Sequence, residues 1–293
     1  VPAGRVPIWR FVDIEVEPLA EHYYDPGREV VAAPQRGRDG PTLRSPRMYD
    51  PVRDGVEKSI ASVVYAEAPP PVALREVVHC FWELRTEVDL VEDFTLHALP
   101  DACVNLLFNQ KDTRIAGVTR LHTTYTTLDL GRSFHYAGIQ LFPGVWRGDP
   151  DETVDRFVGE PYAGDLPLVD VSRTASGLDF DGKVSVFSEL VERLLDSGLV
   201  APNPVTAAIL SNLADIHGVG DMAEVAALSP RQLQRVLRAT TGFSPHDLLK
   251  VLRVQQSFRH DHTLAFADQS HFTHSFRTVT GYTPGRFKKT FDV

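Results

Sequence analysis

The chain has 293 residues, 43% of them hydrophobic, and a formal charge of −9. That composition excludes a disordered polymer, and the length allows two domains, each with its own core. Two cysteines, Cys80 and Cys103, exclude a disulfide framework, and the text holds neither a leader-like start nor a bilayer-length apolar run, so a cytoplasmic protein without a membrane partner is expected.

Residues 1–70 scatter Pro, Gly and Arg, as in Asp25-Pro26-Gly27-Arg28, and read as an irregular extension. Pro69-Pro70-Pro71 opens a more regular stretch, 71–150. There Thr95–Leu99, Cys103–Phe108, Thr123–Leu128 and Tyr136–Phe142 are rich in branched and aromatic residues, so a β-rich domain is expected, a small barrel or a sandwich. Phe81, Trp82, Phe108, Tyr125, Phe134, Tyr136, Phe142 and Trp146 supply apolar surface for either a core or the walls of an effector pocket. In 151–200 the period changes: Val184, Phe187, Leu190, Val191, Leu194 and Leu195 mark one apolar face of a helix closed by Gly198. That face is read as core or as a dimerisation element in a helical connector.

The charge is segregated. Residues 201–293 hold ten Lys/Arg against seven Asp/Glu, a net of +3, while the first 200 hold twenty against thirty-two, a net of −12. The tail is therefore the half suited to meet phosphate. It also reads as helical throughout. Asn203-Pro204 starts a helix over Val205–Ile216, Asp221 caps a short helix over Met222–Ala227, and Leu228-Ser229 turns into an exposed helix, a helix-turn-helix by length and turn chemistry. Ser229 and Asp268 are placed as caps of two similar helices. Each helix carries an apolar stripe (Leu233, Val236, Leu237; Phe272, Phe276), and each stops at Thr-Gly, Thr241-Gly242 or Thr280-Gly281. Ser244-Pro245 and Thr283-Pro284 then open further helices. Exposed Arg and Gln at helical spacing suit the reading of guanine and adenine edges.

Those motifs, Leu228-Ser229-Pro230-Arg231-Gln232-Leu233-Gln234-Arg235 and Phe266-Ala267-Asp268-Gln269-Ser270-His271-Phe272 with their Thr-Gly-aromatic-Ser/Thr-Pro closures, resemble the DNA-binding domain of the AraC/XylS family of transcriptional regulators over about the last ninety residues. The resemblance implies two helix-turn-helix units joined by a long helix, here Pro245 to about His260, with recognition helices in successive major grooves. It places Arg231, Gln234 and Arg235 toward bases in the first helix, and Gln269, Ser270, Thr273 and His274 in the second. Gln232, Arg238 and Arg277 complete the expected DNA-binding set, and Lys288 and Lys289 are expected on the backbone. Arg253-Val254 precedes Phe266 by only thirteen positions, short of the family's spacing by roughly one supporting helix, so the second helix is expected to be re-aimed or confined to phosphate. Val78–Trp82, Leu99–Phe108 and Gly138–Gly144 are similar to an uncharacterised sensor-like domain that precedes some such tails.

The whole reads as α+β: a β-rich, barrel- or cupin-like N-terminal domain followed by an all-α, homeodomain-like double helix-turn-helix domain at 201–293. A sequence-specific DNA-binding regulator is expected, controlled by a small-molecule effector in the front domain. Its expected partners are promoter DNA, that effector and a second copy as a homodimer, and no cofactor is expected. Two alternatives stand beside it. One is a metal- or thiol-responsive regulator using Cys80 and Cys103, with His79, His97 and Asp101 as further ligands; the other is a β-barrel enzyme with a DNA-tethering tail. No spacing matches a common metal signature. Asp179-Phe180-Asp181-Gly182 fails as a calcium loop and reads as a helix start, and no phosphate-binding Gly-Lys loop or Gly-x-Ser-x-Gly elbow occurs.

Overall fold

The computed structural model describes residues 62–119, 121–148, 153–154, 160–258 and 269–290. The expected Asp268 cap, Phe266 and the corner at 259–265 lie outside them, as do 1–61. Strands β1 (Val63–Ala68), β2 (Val78–Thr86), β4 (Val104–Asn109), β5 (Ala116–Thr119), β7 (His135–Leu141) and β8 (Thr153–Val154) form one sheet in the order β1-β2-β7-β4-β5-β8. It is antiparallel except for the β5–β8 pair. Strands β3 (Phe94–Ala98) and β6 (Thr126–Gly131) form a separate antiparallel ribbon. The expected order, a β-rich domain followed by a helical one, is the order observed, and the strands are divided between this sheet and the ribbon.

Alternation along the central strands sorts the side chains. Phe81 of β2, Val104, Leu106 and Phe108 of β4, and Ala137, Ile139 and Leu141 of β7 enter a core covered by helices α1 (Leu168–Ala175) and α2 (Phe180–Asp196). Cys80, Trp82, Leu84, Leu107 and Tyr136 enter a second core on the opposite side, with Phe94 and Leu96 of the ribbon. Burial on both faces leaves the first seven residues of β2 buried, the polar His79 and Glu83 among them. It also divides the aromatic set: Phe81, Phe108, Phe142 and Trp146 fill the helix-side core, while Trp82, Phe134 and Tyr136 lie on the ribbon side.

Helix α2 starts where Asp179 Oδ1 accepts from Gly182 N–H at 2.9 Å and is followed by Gly198 at φ +75°. Its apolar face is not a free dimerisation seam: Phe187 stacks on Phe108 with ring centroids 4.7 Å apart, and Leu190, Val191 and Leu194 are buried with it. Lys183 on the same helix places Nζ 3.0 Å from Glu83 Oε1 of β2, which also meets His135 Nε2 at 2.8 Å. Burial alone would raise the Glu83 carboxyl, but His135 and Lys183 hold it down at about 2. Residues 168–196 therefore belong to the β-layer's own core and are not an independent connector. One further expectation is corrected here. Val63–Ala68, within the stretch read as irregular, is an edge strand made regular by its pairing with β2, and the four-residue β5 was too short to stand out.

The helical region comprises α3 (Pro204–Ser211), α4 (Val219–Val225), α5 (Pro230–Thr241), α6 (Pro245–Ser257), α7 (Gln269–Thr280) and α8 (Pro284–Thr290). Helix α3 ends earlier than expected, although Ile216 is still buried in its core. Asp221 sits inside α4's first turn, where its Oδ2 accepts from His217 N–H at 2.7 Å and Gly218 N–H at 2.9 Å, so it secures the start without being the cap residue. The helices join the sheet closely. Asn203 Nδ2 donates to Gly144 O at 2.9 Å, and a Cβ on Gly144, at φ +73°, would lie 2.5 Å from that nitrogen. Among the described residues no helix is long and apolar enough to cross a membrane.

Candidate nucleic-acid interface and an adjoining cleft

The turn from α4 to α5 is tight. Leu228 N–H donates to Ala223 O and Ala227 N–H to Glu224 O, both at 2.9 Å, with Ala227 at φ +51°, a left-handed helix stop filled by alanine where glycine is usual. Ser229 then caps α5: its Oγ accepts from Gln232 N–H at 3.3 Å, while Gln232 Oε1 accepts from Ser229 N–H at 3.0 Å. Leu233 and Leu237 are fully buried against α4 and α6. On the other side Arg231, Gln234, Arg235 and Arg238 are exposed at i, i+3, i+4 and i+7, one stripe of a 3.6-residue helix. Gln232 lies off that stripe and is engaged in the cap. Arg238 Nη1 also donates to Gly242 O at 3.3 Å, at the end of its own helix.

Helix α7 repeats the design thirty-nine positions later. Ser270, Thr273, His274 and Arg277 occupy the same i, i+3, i+4, i+7 stripe; Ser270, His274 and Arg277 are exposed and Thr273 is half-buried, while the Gln269 side chain lies outside the description. The closures match atom for atom. Thr241 Oγ1 donates to Leu237 O at 2.7 Å and accepts from Phe243 N–H at 3.1 Å; Thr280 Oγ1 donates to Phe276 O at 2.8 Å and accepts from Tyr282 N–H at 3.2 Å. Gly242 and Gly281 follow at φ +72° and +79°. Ser244 caps α6 through Asp247 N–H at 3.1 Å, and Thr283 stands 3.4 Å from Arg286 N–H. Lys288 and Lys289 are exposed on the last turn.

The supports differ. Phe272, Phe276 and Val279 of α7 are buried with Phe287 and with residues of the ribbon-side core. His97 of β3 bonds through Nε2 to Thr280 O at 2.8 Å, Tyr125 N–H donates to Val279 O at 2.8 Å, and the His97 and Tyr125 rings stack 4.5 Å apart. A Cβ on Gly281 would lie 2.4 Å from the Tyr125 ring, so glycine here serves both the turn and the contact. No local signal could have paired His97 with a carbonyl 183 positions away.

Beneath the ribbon lies a cleft of about 890 Å³, its open mouth included, between β3–β6 and the sheet. Trp82 and Tyr136 line it as two of the expected aromatic walls. Trp82 Nε1–H donates to Asn105 Oδ1 at 3.1 Å, and its ring occupies the space a Cβ on Gly138 would need, 2.4 Å away. At the buried end Asp101 Oδ1 accepts from Cys103 N–H at 2.8 Å and its Oδ2 from the Gln140 amide. Burial pushes this carboxyl up to about 7 and the neighbouring His79 imidazole down to about 4.

The residues considered as metal ligands do not converge. His97 is turned to α7, and among the described residues no three His, Cys, Asp or Glu side chains could hold a metal ion. Burial raises both thiols well above their ordinary range, and Cys80 Sγ donates to Gln140 Oε1 at 3.4 Å, conditions that favour an inert thiol over a reactive thiolate.

The family model of a domain of unknown function, DUF6597, matches residues 66–157, from within β1 to just past β8. A comparison with curated proteins gives no match. Among solved structures, ToxT from Vibrio cholerae is similar with a TM-score of 0.38 and 9% identity, over 79% of this chain and 100% of that one.

Proposed function

We propose that the protein is a cytoplasmic, sequence-specific DNA-binding transcriptional regulator whose front domain binds a small-molecule effector. The observation that carries this reading is the repeated stripe. Two helices with the same closure each present polar side chains at i, i+3, i+4 and i+7, and on α5 three of the four are arginines with no acidic residue in the helix. Arg231, Gln234 and Arg235 enter a major groove and read base edges, Arg238 stays near the phosphates, and Ser270, Thr273, His274 and Arg277 contact a neighbouring groove. Control follows from shared parts. The ribbon that walls the cleft also holds the end of α7, so an effector that favours one ribbon position over another shifts the aim of the second helix by its differential affinity for the two arrangements.

Selection of bound sequences from a random DNA pool tests the first part. An enriched motif is expected, bound less tightly as salt rises, with Arg235→Ala losing roughly 1–3 kcal/mol on that motif. Binding without any enriched sequence, or an Arg235→Ala variant equal to the parent on every sequence, overturns the assignment.

A further inference from the structure

We propose that the cleft under the β3–β6 ribbon takes a compact apolar molecule that carries a hydrogen-bond donor and no anionic group, the donor going to Asp101. The proposal rests on the effector reading above and specifies its ligand. Leu96, Leu128 and Leu130 from the ribbon face Trp82, Leu107 and Tyr136 from the sheet, so most of an occupant's surface must be apolar for burial to favour it.

The polar end sets the sign. Asp101 is 7% exposed, and the N–H of Cys103, its own N–H and the Gln140 amide take three of the roughly four acceptor positions of a carboxylate. One remains for a ligand hydroxyl, amide or amine. Among the described residues the lining holds no Lys or Arg; its basic side chain is His122, alongside the hydroxyls of Thr119, Thr124 and Thr126. A carboxylate or phosphate group placed at Asp101 would therefore shed its water with no guanidinium or ammonium group of the described lining to replace it, and would do so beside another acid. Trp82, bonded to Asn105 and seated over Gly138, forms a flat floor, which favours a ligand of planar shape.

Calorimetric titration of the full chain with three probes that share a ring system tests this: 2-naphthylmethanol, 2-naphthylmethylamine and 2-naphthoate. The alcohol and the amine are expected to bind at least tenfold more tightly than the carboxylate, and Asp101→Asn to reduce the preference for the amine at least fivefold. Leu96→Trp, which fills the cleft, is expected to remove binding of all three. Naphthoate binding as tightly as the others overturns the ligand class while leaving an effector cleft in place. Silence from all three, in a protein that still selects a DNA motif, overturns both the class and the cleft as a ligand site.

Discussion

Helices α5 and α7 end in the same Thr-Gly-aromatic closure and carry stripes of the same spacing, but different parts of the molecule hold them. Leu233 and Leu237 of α5 are buried mainly against α4 and α6, in a core that, among the described residues, the front domain enters only through Ala102 and Leu121. Phe272, Phe276 and Val279 of α7 share a core with the β-layer, and the last carbonyls of α7 are taken by His97 and Tyr125 of the front domain. Two copies of one local design thus differ in what aims them. The first is positioned mainly by its own unit, whereas the second is held by the ribbon that borders the cleft.

The largest test of this contrast is a pair of core truncations. Phe276→Ala is expected to cost roughly 3–5 kcal/mol and Leu237→Ala roughly 2–5 kcal/mol. The pattern matters more than the size: in hydrogen exchange, Phe276→Ala should loosen the amides of β3 and β6 together with α7, and Leu237→Ala those of α4 to α6. Unchanged ribbon protection in Phe276→Ala would break the comparison.

Smaller and more selective is His97→Ala, which strands the buried carbonyl of Thr280. A loss of about 1–3 kcal/mol is expected. Limited proteolysis should then cut near 280–284 sooner than in the parent, with α5 equally resistant in both.

A pH series separates the layers further. The folded pKa of Asp101 is about 7 against 3.8 for an ordinary aspartate, so its contribution to stability grows as pH falls from 7 toward 4. His79, at about 4 against 6.5, contributes stability that is lost over nearly the same descent. The two oppose each other, and the parent should vary little between pH 6.5 and 4. Asp101→Asn removes one side, so its melting temperature should drop across that window, and the ribbon should lose protection before α5. A variant as flat as the parent would mean that one of these groups does not titrate as described.

The smallest expected effect lies in the first unit alone. Ala227 holds a left-handed conformation that glycine adopts without cost, and Ala227→Gly should raise stability by about 0.5–1 kcal/mol, measured by urea unfolding, without altering the ribbon.

Much of this was legible along the chain. Ser229, Asp179, Asn203 and Ser244 act as the caps their chemistry suggests, and both Thr-Gly stops fall where expected. Strands β3, β4, β6 and β7 were visible, with shifted ends, through their branched and aromatic residues. The edge strand β1 was not, because its regularity comes from β2, nor was the fate of α2's apolar face, because periodicity marks a face to be buried without naming what buries it. Asp101 and His97 stood out only as ligand types, and their actual partners, Gln140 and the Thr280 carbonyl, belong to other elements.

The sequence by itself determined the starts, stops and exposed stripes of the helices, since capping, left-handed stops and 3.6-residue periodicity depend on groups within about four residues of one another. Only the tertiary structure decided that α7 is held by the ribbon, that Gln255 reaches Pro100 O at 2.7 Å across 155 positions, and that a buried carboxyl closes the cleft. Such contacts arise from the register and stacking of layers far apart in the chain, and no local propensity encodes them.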